Sequence, residues 1–191
     1  ALPSRFTQFD ISAAQLYSLT SDTKVVATNL DEDVTIYWIT QAGKEDTVIQ
    51  KLLDRYSDLT DHITVVKKDP DTYPTFAKQY TDETVQNNSL VVECGSKSRY
   101  IGYDSIYNTD MSAYYSTGSV SRSFDGEGQI TSAIDYVTTE TLPQVYLLSG
   151  HGEAALSDAF SSQLERANYE TVSDFSLLNV DAVPEDCSAL I

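Results

Sequence analysis

The sequence predicts an α/β protein made of one domain and the beginning of another. Three observations carry that reading. Val34–Thr40 is dense in β-branched and aromatic residues, and apolar enough for a strand buried on both faces. Asp46–Leu59 places Val48, Leu52, Leu53, Tyr56 and Leu59 at helical spacing, with Lys51, Asp54 and Arg55 elsewhere on the wheel. After Leu142 a strand-then-helix pattern starts afresh. A hydrophobic content of 41% over 191 residues is enough for a core.

Taken in order, Phe6–Ile11 alternates loosely and reads as a first strand. The hydroxyls of Ser18, Thr20 and Ser21 cap a helix over Asp22–Leu30, which the acidic turn Asp31-Glu32-Asp33 ends. The Val34–Thr40 strand and the Asp46–Leu59 helix follow. Ile63–Val66 is the next strand, closed by Lys67-Lys68-Asp69-Pro70. Pro74 opens a short helix to Tyr80, because a first-turn proline gives up no hydrogen bond. Ser89–Cys94 and Arg99–Tyr103 flank Gly95-Ser96-Lys97-Ser98 as a hairpin. Asp104–Arg122 is polar and tyrosine-rich with no period, and reads as a long surface loop with at most one helical turn. A helix then runs from Asp125 to Thr139, with Ile130, Ala133, Ile134 and Val137 on one face.

The resulting order, β-α-β-α-β-α-β-β-α, is that of a thioredoxin-like domain covering residues 1–140. A redox member carries Cys-x-x-Cys at the helix N-terminus after the central strand, where the thiol pKa is lowered. Here that turn is Gln41-Ala42-Gly43-Lys44-Glu45-Asp46, without cysteine, which rejects disulfide exchange. Residues 141–191 read as the first part of a second α/β domain, flavodoxin-like or amidotransferase-like, that continues beyond Ile191. Its elements are a strand at Gln144–Leu148, a helix at Ala154–Ala167, and strands at Tyr169–Val172 and Ser188–Ile191.

Composition excludes several function classes. Twelve basic against 29 acidic residues give a net charge of -17, which repels nucleic acid and anionic lipid. No apolar run is long enough to span a membrane, and no signal-peptide pattern is present. The two cysteines, Cys94 and Cys187, lie far apart without metal-type spacing, and Cys94 sits in an apolar run as a buried thiol would. No phosphate loop, dinucleotide fingerprint or histidine–cysteine cluster occurs, so neither cofactor nor metal is expected.

The sharpest constellation is Ser149-Gly150-His151-Gly152-Glu153. Read as a strand-to-helix turn, it offers backbone N–H groups for an anion and His151 with Glu153 for acid–base work. The structural alternative is a tight crossover, with glycines supplying unusual dihedrals and His151 bonded to backbone. No nucleophile elbow is present. Tyr107, Tyr114 and Tyr115 in the polar stretch suit contact with a partner or a sugar, or packing of the stretch on its own domain. Asp69 and Asp71 beside Lys67-Lys68 suggest a metal or phosphate site, but turn formation around Pro70 explains them. Asp31-Glu32-Asp33 lacks the spaced ligands of a calcium loop, and His62 opens a strand at a solvent edge. Asn87-Asn88-Ser89 fits a glycosylation sequon.

Six stretches, in this order and spacing, resemble the extracytoplasmic region of gliding-motility-type ABC transporter auxiliary proteins, the Gld-G-like family. They are Phe9–Lys24, Asn29–Thr40, Lys67–Tyr80, Ser89–Ile101, Phe124–Thr138 and Leu142–Glu153. The resemblance implies a protein anchored by a transmembrane helix outside this chain, with its bulk on the extracytoplasmic face of the bacterial cytoplasmic membrane. It implies an ABC permease and ATPase as partners and a non-enzymatic role in binding a ligand or protein. No catalytic residue carries over; His151 and Glu153 match a recurrent motif of the family. A hydrolase or transferase built around Gly150–Glu153, and an envelope glycan-binding or scaffold module, are the alternatives.

Overall fold

The computed structural model describes residues 19–110, 121–150, 152–179 and 182–191. The predicted first strand, Phe6–Ile11, lies outside them. The chain divides into two compact units, Ala1–Thr138 and Thr139–Ile191, which are described separately.

In the first unit, helix α1 (Ser21–Thr28) is capped by Thr20, whose hydroxyl accepts from Thr23 N–H. Strand β1 (Val34–Ile39) leads to helix α2 (Thr47–Leu59) and strand β2 (Ile63–Lys68). Strands β3 (Ser89–Cys94) and β4 (Lys97–Ile101) follow. The sheet order is β2-β1-β3-β4. Strands β1 and β2 are parallel, joined by the α2 crossover; β3 runs antiparallel to β1, and β4 to β3. This order and sense make the unit thioredoxin-like, as the sequence predicts.

The pleat assigns the two faces. Val34, Ile36 and Trp38 of β1 join Leu90, Val92 and Cys94 of β3 in one core. Onto it pack Ile49, Leu52, Leu53 and Tyr56 of α2, with Ile130, Ala133, Ile134 and Val137 of the last helix of the unit, α4 (Gly126–Thr138). A polar seam fastens the three helices. Thr23 hydroxyl donates to Glu127 Oε1 at 2.7 Å, Thr131 lies 2.8 Å from Thr23, and the Tyr56 hydroxyl lies 2.6 Å from Thr131. Gly126 permits the close approach at that corner. A Cβ there would stand 2.5 Å from Phe124 Cζ and 2.9 Å from Leu52 Cδ2.

The opposite face, with Tyr37 and Glu93, meets an irregular segment between β2 and β3. Tyr37 and Phe76 ring centres are 4.9 Å apart, Phe76 and Tyr80 5.3 Å. The Tyr37 and Tyr80 hydroxyls donate to the two oxygens of Glu93 at 3.3 and 2.7 Å. The helix predicted from Pro74 to Tyr80 is only a 3-10 turn at Ala77–Gln79. The segment closes in steps of three, Phe76 N–H to Tyr73 O, Gln79 N–H to Phe76 O and Tyr80 N–H to Ala77 O.

Two further boundaries differ from expectation. Strand β4 starts at Lys97, because Cys94 pairs with Lys97 and leaves Gly95-Ser96 alone as the turn, with Gly95 at φ 57. The stretch expected to be a loop from Asp104 to Arg122 has structure at both ends. Helix α3 (Tyr103–Ile106) precedes strand β5 (Tyr107–Asp110), which pairs antiparallel with β6 (Ser121–Phe124). Ile106 is fully buried, and the Tyr103, Tyr107 and Phe124 rings pack in sequence, tilted, at 5.1 and 5.0 Å between centres. Aromatic contacts, with no apolar period, hold this pair together.

The second unit has three parallel strands in the order β8-β7-β9, formed by β7 (Gln144–Leu148), β8 (Glu170–Phe175) and β9 (Cys187–Leu190). A doubly wound sheet begins with this 2-1-3 order. Helix α5 (Asp158–Arg166) starts four residues later than expected. Ser157 is its cap, extended at φ -68 and ψ 147, with its hydroxyl accepting from Phe160 N–H. Val145 and Tyr146 are buried, and the Tyr146 ring packs edge-on against Phe175 at 4.9 Å.

Candidate ligand-binding site

Open α/β sheets take ligands outside the carboxyl ends of their parallel strands, where the strand order reverses. Each unit has a cavity at that position. In the first unit it has a volume of about 500 Å³ and is lined by Ile39 and Gln41 after β1, Lys68 at the end of β2, and residues from Pro70 to Asn87.

The turn after β1 is the element most altered from a redox site. Gly43, at φ 82, lets it fold back, with Lys44 N–H donating to Gln41 O at 3.1 Å. Its backbone donors are then taken by the protein's own side chains. Gln41 N–H donates to Asn87 Oδ1 at 2.8 Å and Ala42 N–H to Asp69 Oδ2 at 3.1 Å. Asp46 N–H donates to Asn88 Oδ1 at 2.9 Å, and Asn88 Nδ2 donates to Lys44 O at 2.9 Å. Asp46 caps α2, its Oδ1 accepting from Val48 and Ile49 N–H, while its Oδ2 accepts from the Tyr107 hydroxyl at 3.1 Å. The Gln41, Ala42, Lys44 and Asp46 N–H groups are therefore not open to cradle an anion or to stabilise a thiolate. Asn88 is the keystone: buried, left-handed at φ 71, and also accepting from Trp38 Nε1 at 3.2 Å.

The two lysines ending β2 have different surroundings. Lys67 pairs with Glu45 and lies over the Trp38 ring. The lysine is the chief cause holding the Glu45 carboxyl below its ordinary pKa. Lys68 faces the cavity side, its ammonium 4.9 Å from the Tyr73 ring centre, 5.1 Å from Phe76 and 5.6 Å from Tyr37. Sequence reasoning missed this cluster. Its signal was aromatic residues at 73, 76 and 80 following a lysine pair, which reads as a helix face when the segment is taken as helical. Asp69 and Asp71 do the turn work expected of them: Asp71 N–H donates to Asp69 Oδ1 at 2.9 Å, and Gln41 Nε2 donates to both Asp71 oxygens at 3.0 Å. Among the described residues no group of three or more His, Cys, Asp or Glu could hold a metal ion.

In the second unit, a cavity of about 480 Å³ is lined by Ser149, Gly150, Gly152, Glu153, Ser173 and Asp174, among others. The structure thus brings four of the five predicted residues to a strand-edge cavity, while His151 lies outside the described residues. The expected helix N-terminus is not there. Residues 152–157 are not helical, and α5 is capped by Ser157 beyond them, so its free N–H groups do not point from this turn. Ser149 N–H donates to Phe175 O at 2.8 Å. Gly150 and Gly152 have φ of 101 and 89, the left-handed dihedrals that the structural reading gives them.

Tyr107 is half-buried against the first unit's core, with its hydroxyl on Asp46; Tyr114 and Tyr115 lie outside the described residues. His62 Nδ1 is 2.9 Å from Asp33 Oδ1 at an exposed edge. Cys94 is buried and donates to Glu32 Oε2 at 3.3 Å; burial, with Glu32 beside it, pushes the thiol up to about 11. The sequon's Asn87 holds Gln41 through both ends of its amide.

No curated protein matches the chain. Among solved structures it is similar to the NTD_N/C domain of alkylhydroperoxide reductase AhpF from Enterococcus faecalis, at 15% identity and a TM-score of 0.45 over 85% of this chain and 79% of that one. Among protein families, residues 13–107 match a domain of unknown function, DUF7088.

Proposed function

We propose that this chain is a non-catalytic binding domain of a membrane-anchored auxiliary component of an ABC-type transport or gliding-motility-like system. It works on the extracytoplasmic face of the membrane beside a permease and an ATPase. The observation that carries the reading is the clasp at Gln41–Asp46. The turn that serves chemistry in redox proteins of this fold here has no cysteine, and Asp69, Asn87 and Asn88 take its backbone groups. Beside it lies a ligand-sized cavity rather than a reactive centre. The six ordered stretches that resemble the Gld-G-like family supply the transport context. The net charge of -17 favours protein or small-molecule partners over nucleic acid.

The test is affinity capture of the full-length protein from solubilised membranes, with protease accessibility on intact cells. Permease and ATPase recovered with it, and digestion of this region from outside, support the proposal. Recovery without either subunit, or protection in intact cells with digestion after lysis, overturns it.

A second reading, a hydrolase or transferase at Ser149–Glu153, is favoured by the cavity at those residues. Turnover of acyl or phosphoryl esters that is lost in both His151→Ala and Glu153→Gln supports it; no turnover across such a panel retires it. The glycan-binding alternative rests on Tyr107, Tyr114 and Tyr115, and the engagement of the Tyr107 hydroxyl by Asp46 leaves that residue less to offer.

A further inference from the structure

We propose that the cavity beside the clasp binds a small organic carboxylate, its anionic head on the Lys68 ammonium and its apolar body against Tyr73, Phe76 and Pro74. The proposal deepens the binding-domain reading by naming a ligand class for the first unit.

The argument begins with the charge. Tyr37, Tyr73 and Phe76 surround the Lys68 ammonium at 5.6, 4.9 and 5.1 Å. Ring faces attract a cation but carry no net charge, so they position the ammonium without neutralising it. Among the described residues no carboxylate lies within ion-pair distance of Lys68, and no acceptor hydrogen-bonds it. That is unusual in a chain with 29 acidic residues against 12 basic ones, and the neighbouring Lys67 has Glu45. Asp71 and Glu83 line the same cavity; Gln41's amide holds the Asp71 carboxylate, and neither acid is ion-paired with Lys68. Lys68 is therefore a held, half-desolvated cation on the wall of a cavity of about 500 Å³, within the range of small-molecule sites.

The surroundings narrow the anion. A phosphate needs several convergent donors, usually backbone N–H groups or a guanidinium fork. The backbone donors of the turn after β1, Gln41 and Ala42 N–H, are occupied by Asn87 and Asp69. The ring-held Lys68 ammonium suits one negative charge, and the acidic chain as a whole, with Asp71 and Glu83 on the same wall as Lys78, disfavours polyanions. Pro70, Pro74, Val85 and the two rings give part of the wall an apolar character that matches a hydrocarbon or aromatic body, beside the polar Lys78, Glu83, Gln86 and Asn87.

The test is titration of the whole chain with phenylacetate and with its neutral isostere phenylacetamide, followed by amide chemical shifts. Phenylacetate is expected to bind roughly tenfold more tightly than the amide, the worth of one charged hydrogen bond. Lys68→Met is expected to remove that difference and Lys68→Arg to keep it. Equal binding of the two ligands to the native chain overturns the proposal without reference to any variant. So does absence of phenylacetate binding, shifts confined to residues away from Lys68, Tyr73 and Phe76, or undiminished binding by Lys68→Met. Capture of permease and ATPase reads the broader proposal separately, and survives if only the carboxylate fails.

Discussion

Removing the Asn88 side chain should open the clasp and cost much of the first unit's stability. Asn88 is 7% exposed and sits at φ 71. Its side chain satisfies three groups: Trp38 Nε1 at 3.2 Å, Asp46 N–H at 2.9 Å and Lys44 O at 2.9 Å. Each is worth about 1 kcal/mol net, and more where a buried partner is left unsatisfied. Alanine also accepts the left-handed backbone less readily than asparagine, adding about 1 kcal/mol. Asn88→Ala should therefore destabilise by about 4 kcal/mol, a large share of the roughly 5–15 kcal/mol that holds a domain together. Asn88→Gly relieves the backbone term and should recover about 1 kcal/mol of that loss. Urea unfolding followed by tryptophan emission measures both, because Trp38 is the chain's single tryptophan and one of the bonded partners. A loss below about 1 kcal/mol with unchanged emission would refute the keystone role, since three bonds cannot vanish so cheaply from a buried site.

Other outcomes follow from the same contacts. Gly126→Ala forces a Cβ to within 2.5 Å of Phe124 Cζ, so it should lower stability by about 1–3 kcal/mol as overpacking, read as a fall in the urea midpoint. Cys94, with its thiol raised to about 11, should resist iodoacetamide at pH 8 while Cys187 is labelled, as peptide mass spectrometry would show. Its contribution to stability is complete below the unfolded thiol's value of 9.0 and should fall as pH rises towards about 11, seen as a declining melting temperature that Cys94→Ala flattens in that window.

The elements legible in sequence were those whose signal is local. Strand β1 announced itself by β-branched and aromatic residues, α2 by its apolar stripe and α4 by Ile130, Ala133, Ile134 and Val137, and all three lie within about a residue of expectation. The β5–β6 pair was not legible, because Tyr-Asn-Thr-Asp carries no apolar alternation and its one ring, Tyr107, is packed between Tyr103 and Phe124, 17 residues further on in β6. Helix α5 starts later than its composition suggests: Ala154, Ala155 and Leu156 are good helix formers, whereas the Ser157 cap decides the start. The clasp was hidden for another reason. Asn88 grips groups 42 to 50 residues upstream, and nothing in Asn87-Asn88-Ser89 as a string points to Gln41–Asp46. The Ser149–Glu153 stretch was legible as a strand-edge turn, since glycines flanking a strand end have a local cause.

The clasp also bears on how far this scaffold lies from electron-transfer chemistry. A cysteine pair grafted onto Gln41–Asp46 would enter a turn whose amide donors already serve Asn87, Asn88 and Asp69, at a helix end already neutralised by Asp46. A lowered thiol pKa in redox proteins comes from open donors and an uncompensated positive helix end. The grafted sulfur would meet a carboxylate in place of both and stay protonated. Recovering a dithiol catalyst from this chain would mean dismantling the asparagines and aspartates first, and with them the support that keeps the turn folded.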